Sequence, residues 1–232
     1  MVLRAEGVSR RFLRQSGQSN FFYALKPTDL TLPPASLTEI TGRSGSGKST
    51  LLNILAGLLT PTEGRVLLDD TDLYALEDGP RSRLRNRAVG VIPQGQTGLH
   101  SLTVLENVLL PCLLYGERDA ATEERGRALL EQVGIAHLAE ARPGELSGGE
   151  LRRLSIARAL IREPGVLLAD EPTGDLDDEN TKTVLQLLRR AADGGMAVLL
   201  VTHEKEAAAY ADRLYRMNDG VLTPESETGR EG

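Results

Sequence analysis

Residues Gly42-Arg43-Ser44-Gly45-Ser46-Gly47-Lys48-Ser49-Thr50 follow the pattern G-x-x-x-x-G-K-[ST] without a mismatch. A chain with this motif needs a strand before it and a helix after it, because the loop binds through backbone N–H groups left free at a helix start. The helix is plain in Leu51, Leu52, Ile54, Leu55 and Leu58, which are spaced for one buried side. N–H groups from Ser44 to Lys48 can then wrap a β-phosphate, Lys48 can reach β and γ oxygens, and the Ser49 hydroxyl can bind Mg²⁺. The strand is less plain. Leu37-Thr38-Glu39-Ile40-Thr41 is more polar than a strand buried on both faces should be. A bare glycine-rich turn is the competing reading, and it leaves the following helix unexplained.

A second element is Val166-Leu167-Leu168-Ala169-Asp170-Glu171-Pro172, an apolar run that ends in two carboxylates and a proline. It predicts a central parallel strand. Strand alternation would point the two acids in different directions, with Asp170 toward a metal shell through water and Glu171 toward an attacking water as general base. Such a base contributes roughly 10² to 10⁴ in rate.

The third is Leu146-Ser147-Gly148-Gly149-Glu150, which opens a helix carrying Leu151, Leu154, Ala157 and Ile161 on one side. Two readings stand side by side. The free N–H groups and positive helix end suit an anion, and Ser147 with Glu150 also fits a capping box that binds nothing.

In this order the three motifs resemble the ATP-binding cassette (ABC) ATPases, the nucleotide-hydrolysing subunits of ABC transporters, over nearly the whole chain. The resemblance implies ATP and Mg²⁺ as ligands. Glu171, His203, Gln94 and Lys48 would be the catalytic set. Gly42, Ser44, Gly45, Ser46, Gly47, Lys48, Ser49 and Thr50 would hold the phosphates, and Phe12 would stack on adenine, with Phe21, Phe22 and Tyr23 as rivals. Ser49, Gln94 and Asp170 would surround the metal, and His203 would contact the γ-phosphate. By the same resemblance, the inserted helices would put Ser147 and Gly149 too far from their own Lys48 to share a nucleotide. Ser147, Gly148, Gly149 and Glu150, with Asp177 nearby, would therefore serve the ATP of a second copy related by a two-fold axis. Departures from the family pattern are Glu150 in place of a glutamine, Asp175 in place of a small or amide residue, and Pro93 before Gln94. Pro93 cannot donate a strand hydrogen bond, and Asp175 adds negative charge beside the phosphates.

Within the family, Ser46 to Asn53, Leu102 to Val108 with Pro111, and Ala169 to Gly174 look like the macrolide-export and lipoprotein-release group. ATPases of that group serve permeases that move or extract molecules by a mechanical stroke. A soluble ABC-type ATPase remodelling DNA or ribosomes is the alternative; such proteins usually carry long coiled coils, metal modules or two cassettes, and none is visible. A small-molecule kinase would leave Glu171 and the pentapeptide without a role.

Alternating strands and helices argue for an α/β P-loop core with a largely parallel sheet and an antiparallel N-terminal edge from Val2–Ala5 and Leu30–Leu32. One cassette, 1–232, is expected, its catalytic core being 1–93 and 164–232 and its inserted helical lobe 94–163. Helices are expected over Val104–Leu114, broken at Pro111, and over Thr122–Val133. Arg81–Arg87 reads as a solvated helix face, and Arg14–Asn20 and Thr223–Gly232 read as polar loop or disorder.

A net charge of −6, with three Phe, five Tyr and no Trp, offers neither a basic field nor stacking platforms, so nucleic acid is not an expected partner. The single cysteine, Cys112, excludes an internal disulfide and agrees with cytosol. No signal peptide is visible, and no apolar run approaches the roughly eighteen residues that span a bilayer. Transport would need a separate integral-membrane permease, with this chain held to the cytoplasmic face by it. Gly98–Thr103 and Val108–Tyr115 are the expected surface for a cytoplasmic helix of that partner.

Overall fold

The computed structural model describes residues 1–13, 21–95, 98–117 and 119–225. In chain order the elements are β1 (Leu3–Leu13), β2 (Phe21–Leu32), β3 (Ser36–Thr41), α1 (Lys48–Leu55), β4 (Glu63–Leu68), β5 (Thr71–Asp72), α2 (Asp78–Ala88) and β6 (Val89–Ile92). There follow α3 (Val104–Leu113), α4 (Ala120–Gln132), α5 (Gly148–Leu160), β7 (Val166–Asp170), α6 (Asp178–Asp193), β8 (Ala197–Val201), β9 (Arg213–Asn218) and β10 (Val221–Pro224).

Two sheets result. The larger has the order β10-β9-β3-β8-β7-β6 and is parallel except for the β9–β10 hairpin. The antiparallel N-terminal part is a separate sheet of order β2-β1-β4-β5.

Side-chain alternation in the parallel strands divides the core in two. Leu167, Ala169, Val198 and Leu200 pack with residues of α3, α4, α5 and α6. Val166, Leu168, Leu199 and Val201 face the other way, onto α1 and the antiparallel sheet. Burial on both faces accounts for the unbroken apolar runs of β7 and β8.

The expected strand before the phosphate loop forms, and other expectations need correction. The polar segment before the phosphate loop is a central strand: β3 lies between β8 and β9, with Thr38 and Glu39 wholly buried. Backbone pairing on both edges outweighs the side-chain cost, which is considerable, because neither Glu39 carboxylate oxygen has a hydrogen-bond partner. Burial, reinforced by the Glu225 charge, pushes the Glu39 pKa up to about 7.

Pro111 does not break α3. It sits in the last turn, where one missing N–H costs little against the burial of Val104, Val108, Leu109 and Cys112. The arginines of α2 are not all solvated either. Arg85 Nη1 donates to the Gly57 carbonyl at 3.1 Å, and Arg81 lies 5.5 Å from the Tyr74 ring centroid. Thr223 and Pro224 are paired in β10 with Arg216 and Tyr215. The expected loops at 14–20 and 226–232 lie outside the described residues. Among those described, no helix is long and apolar enough to cross a membrane.

Candidate nucleotide site

β3 delivers the chain to Gly42, and α1 begins at Lys48. Two glycines between them are sterically required. At Gly42 (φ 155) a Cβ would lie 2.3 Å from the Met217 carbonyl oxygen, and at Gly47 (φ 112) 2.4 Å from that of Ala24. Gly47 caps α1 with no side-chain hydrogen bond and no acid follows in the first turn, so the positive helix end faces the cavity uncompensated. Lys48 is buried, and its Nζ donates to the carbonyls of Gly42 at 2.7 Å and Arg43 at 3.1 Å.

The acidic pair sits at the end of β7, but alternation is not what separates its members. The strand stops at Asp170, and Glu171 takes a left-handed conformation with φ 46. Asp170 is buried and bonded by Ser49; desolvation pushes its carboxyl up, against the Ser49 hydrogen bond. Its Oδ1 has no partner. Glu171 turns toward Lys48, with Oε1 3.9 Å from Nζ. Because Asp170 pairs with Val201 and the Glu171 N–H bonds the Val201 carbonyl at 2.8 Å, the chain ends of β7 and β8 lie level. His203 follows two residues after Val201, and its Nδ1 is 2.8 Å from Glu171 Oε2.

Gly42, Gly47, Lys48, Ser49, Glu171 and His203 line a cavity of ≈ 1190 Å³ that also takes in Phe22, Tyr23, Gln94, Arg152 and Asp175. Phe22 and Tyr23 line it while Phe12 does not; Phe12 pairs with Phe22 across the β1–β2 ladder, their ring centroids 6.0 Å apart.

Ser147–Glu150 are not among the lining residues. Their capping box forms as the pattern implies: Ser147 N–H and hydroxyl each donate to Glu150 Oε2 at 2.7 Å, and Glu150 N–H donates to Ser147 Oγ at 3.4 Å. Those bonds from Ser147 hold the Glu150 carboxyl below its usual range. Asp177 caps α6 by accepting from the Asn180 N–H at 2.8 Å, and Asn180 Nδ2 donates to its other oxygen.

The profile of the ABC transporter family matches residues 25–174. The chain belongs to that family. Among curated ABC proteins, the lipoprotein-releasing system ATP-binding protein LolD of Aquifex aeolicus is 41% identical, with 97% of each chain covered. LolD of Xanthomonas axonopodis pv. citri is also 41% identical, over 95% of this chain and 90% of that one. The post-hydrolysis dimeric structure of the ATP-binding cassette MJ0796 bound to ADP and Pi superposes with a TM-score of 0.86 at 32% identity, covering 96% of this chain and 98% of that one. A nucleotide-free cassette from an ABC transporter superposes at 0.80 with 28% identity, covering 97% and 92%. This chain is an ATP-binding, ATP-hydrolysing ABC transporter subunit, and the soluble remodelling alternative is set aside.

Sequence reading missed two residues that organise this ABC cassette. Asn180 accepts at Oδ1 from Arg153 Nη1 at 3.0 Å and abuts Gly149, so it ties the first turn of α5 to the first turn of α6. Its place three residues after the Asp177 cap was the available signal. Arg152, buried against the loop around Gln94, gave none, because an arginine on an amphipathic helix reads as solvent-facing.

Proposed function

We propose that two copies of this subunit close around two ATP molecules and drive a separate membrane permease of the macrolide-export and lipoprotein-release kind from its cytoplasmic face. The observation carrying this reading is that the cavity holding Lys48, Glu171 and His203 excludes Ser147–Glu150 of the same chain. A second helix start ready for an anion then has work only on another molecule's nucleotide.

In the proposed site the loop amides and Lys48 cradle the β- and γ-phosphates. Glu171 takes the proton of the attacking water, and His203 holds Glu171 in place while facing the γ-phosphate. Gln94, which lines the same cavity, would help hold that water. For Mg²⁺ the donors fit: the buried Asp170 has an unpartnered Oδ1 and is hydrogen-bonded by Ser49, and Ser49 lines the cavity together with Gln94. Held by Ser49, Asp170 and Gln94, such an ion would supply positive charge to offset that of the phosphates.

We divide the chain as 1–93 and 164–232 for catalysis and 94–163 for contact with the partner. A second cavity of ≈ 280 Å³, lined by Leu58, Arg85, Leu114, Tyr115 and Arg162, adjoins Val108–Tyr115 and suits a cytoplasmic helix of the permease.

Glu171→Gln is the test, with hydrolysis and molar mass by light scattering measured together in Mg-ATP. Collapse of hydrolysis with a stable ATP-dependent dimer supports the sandwich. Normal hydrolysis overturns the role of Glu171, and a monomer saturated with ATP overturns self-sufficient dimerisation.

A further inference from the structure

Arg152 lies in the second turn of α5, is 5% exposed, and has no part in the chemistry above. Its Nη1 donates to the Pro93 carbonyl at 3.2 Å and to the Gly95 carbonyl at 3.1 Å, the two residues flanking Gln94. β6 has ended at Ile92, and Pro93 has no N–H, so ladder hydrogen bonds do not fix this stretch from the strand side. The same guanidinium lines the nucleotide cavity together with Asp175. Asp175 sits just past Glu171 in a tight turn with φ 62, in which the Gly174 N–H bonds the Glu171 carbonyl. Burial lowers the Arg152 pKa, and Asp175 is the charge that acts against that shift. A carboxylate on the wall of a polyphosphate cavity repels the ligand unless a cation offsets it.

We propose that Arg152 is a positioning residue for hydrolysis, clamping the backbone on both sides of Gln94 while neutralising Asp175 so that the cavity keeps its affinity for the polyphosphate. The proposal rests on Gln94 belonging to the ATP site. It gives α5 a direct hold on the wall of its own chain's cavity, about one turn beyond the helix start that carries Ser147.

The two duties separate by mutation. Arg152→Met should lower kcat about ten- to hundredfold through loss of alignment. It should also weaken ATP binding in EDTA about fivefold, the size of one modest charge interaction. Adding Asp175→Asn should restore the Kd but not kcat, because the two carbonyls still lack their donor. Arg152→Lys should recover the Kd and part of kcat. Unchanged kcat and Kd in Arg152→Met would overturn the proposal, and a double variant binding ATP no better than Arg152→Met would overturn the charge pairing. If Arg152→Met fails to fold, Asp175→Asn and Arg152→Lys decide: Asp175→Asn should tighten ATP and Arg152→Lys should keep wild-type Kd, and failure of either counts against it. ATP affinity in EDTA requires neither Glu171 as base nor dimer formation, so this outcome is read independently of the Glu171→Gln experiment.

Discussion

Nδ1 of His203 lies 2.8 Å from Oε2 of Glu171, although the two residues are 32 positions apart. The contact follows from the level ends of β7 and β8 together with the left-handed turn at Glu171, which swings the carboxylate off the strand axis. His203 is largely exposed and Glu171 is not, so the imidazole spans from the protein wall to the cavity mouth.

His203→Ala should therefore leave Glu171 present but unaligned. Hydrolysis should fall by about 10² or more, while ATP affinity in EDTA stays within about twofold. Phosphate release under saturating Mg-ATP measures the first and calorimetry the second. Hydrolysis within threefold of wild type would remove His203 from the mechanism.

Gly149→Ala adds a methyl where Asn180 Oδ1 would be 2.5 Å away. Alanine otherwise favours a helix, so any loss comes from displacing Asn180 from Arg153 and Asp177. The expected phenotype is normal ATP binding by the monomer, at least a tenfold loss of hydrolysis, and no ATP-dependent dimer in light scattering. Wild-type dimerisation would detach the pentapeptide from the interface.

Glu39 makes stability depend on pH. Its pKa is about 7 in the fold against 4.5 for the free side chain, so between those values the native state binds more protons than the unfolded chain. Stability contributed by this group is present below pH 4.5 and falls as pH rises through about 7. Glu39→Gln removes the dependence and should gain roughly 2–3 kcal/mol on wild type between pH 5 and pH 8. Urea unfolding at the two pH values checks this, and parallel curves for the two proteins would refute it.

Asn107 is wholly buried and holds the loop ahead of α3. Its Oδ1 accepts from the Leu99 N–H at 2.8 Å, and its Nδ2 donates to the carbonyls of Leu99, Leu102 and Thr103. Asn107→Ala strands these backbone groups and should cost about 2–4 kcal/mol in urea unfolding. A loss below about 1 kcal/mol would mean the loop finds other partners.

Legibility followed distance along the chain. The phosphate loop, the cap at Ser147 and the acidic end of β7 were readable because each is a transaction among neighbours: glycines that free the backbone, a hydroxyl three residues from a carboxylate, an apolar run ended by charge. β3 was the less plain strand because its polarity is local, whereas its burial comes from β8 and β9, which lie more than 150 residues away in sequence. Pro111 was read as a break because propensity weighs one lost hydrogen bond and cannot see the apolar burial that carries α3 on to Leu113.

Short motifs alone marked a phosphate loop at the start of one helix, an acidic strand end to pair with it, and a second helix opened by a capping box. Folding is what brings Glu171 to His203 and lays Arg152 across both sides of Gln94. The physical reason is that caps and loops are closed by backbone geometry within a few residues. Strand order and helix docking are set instead by apolar surface buried over the whole chain, a sum that no short motif records.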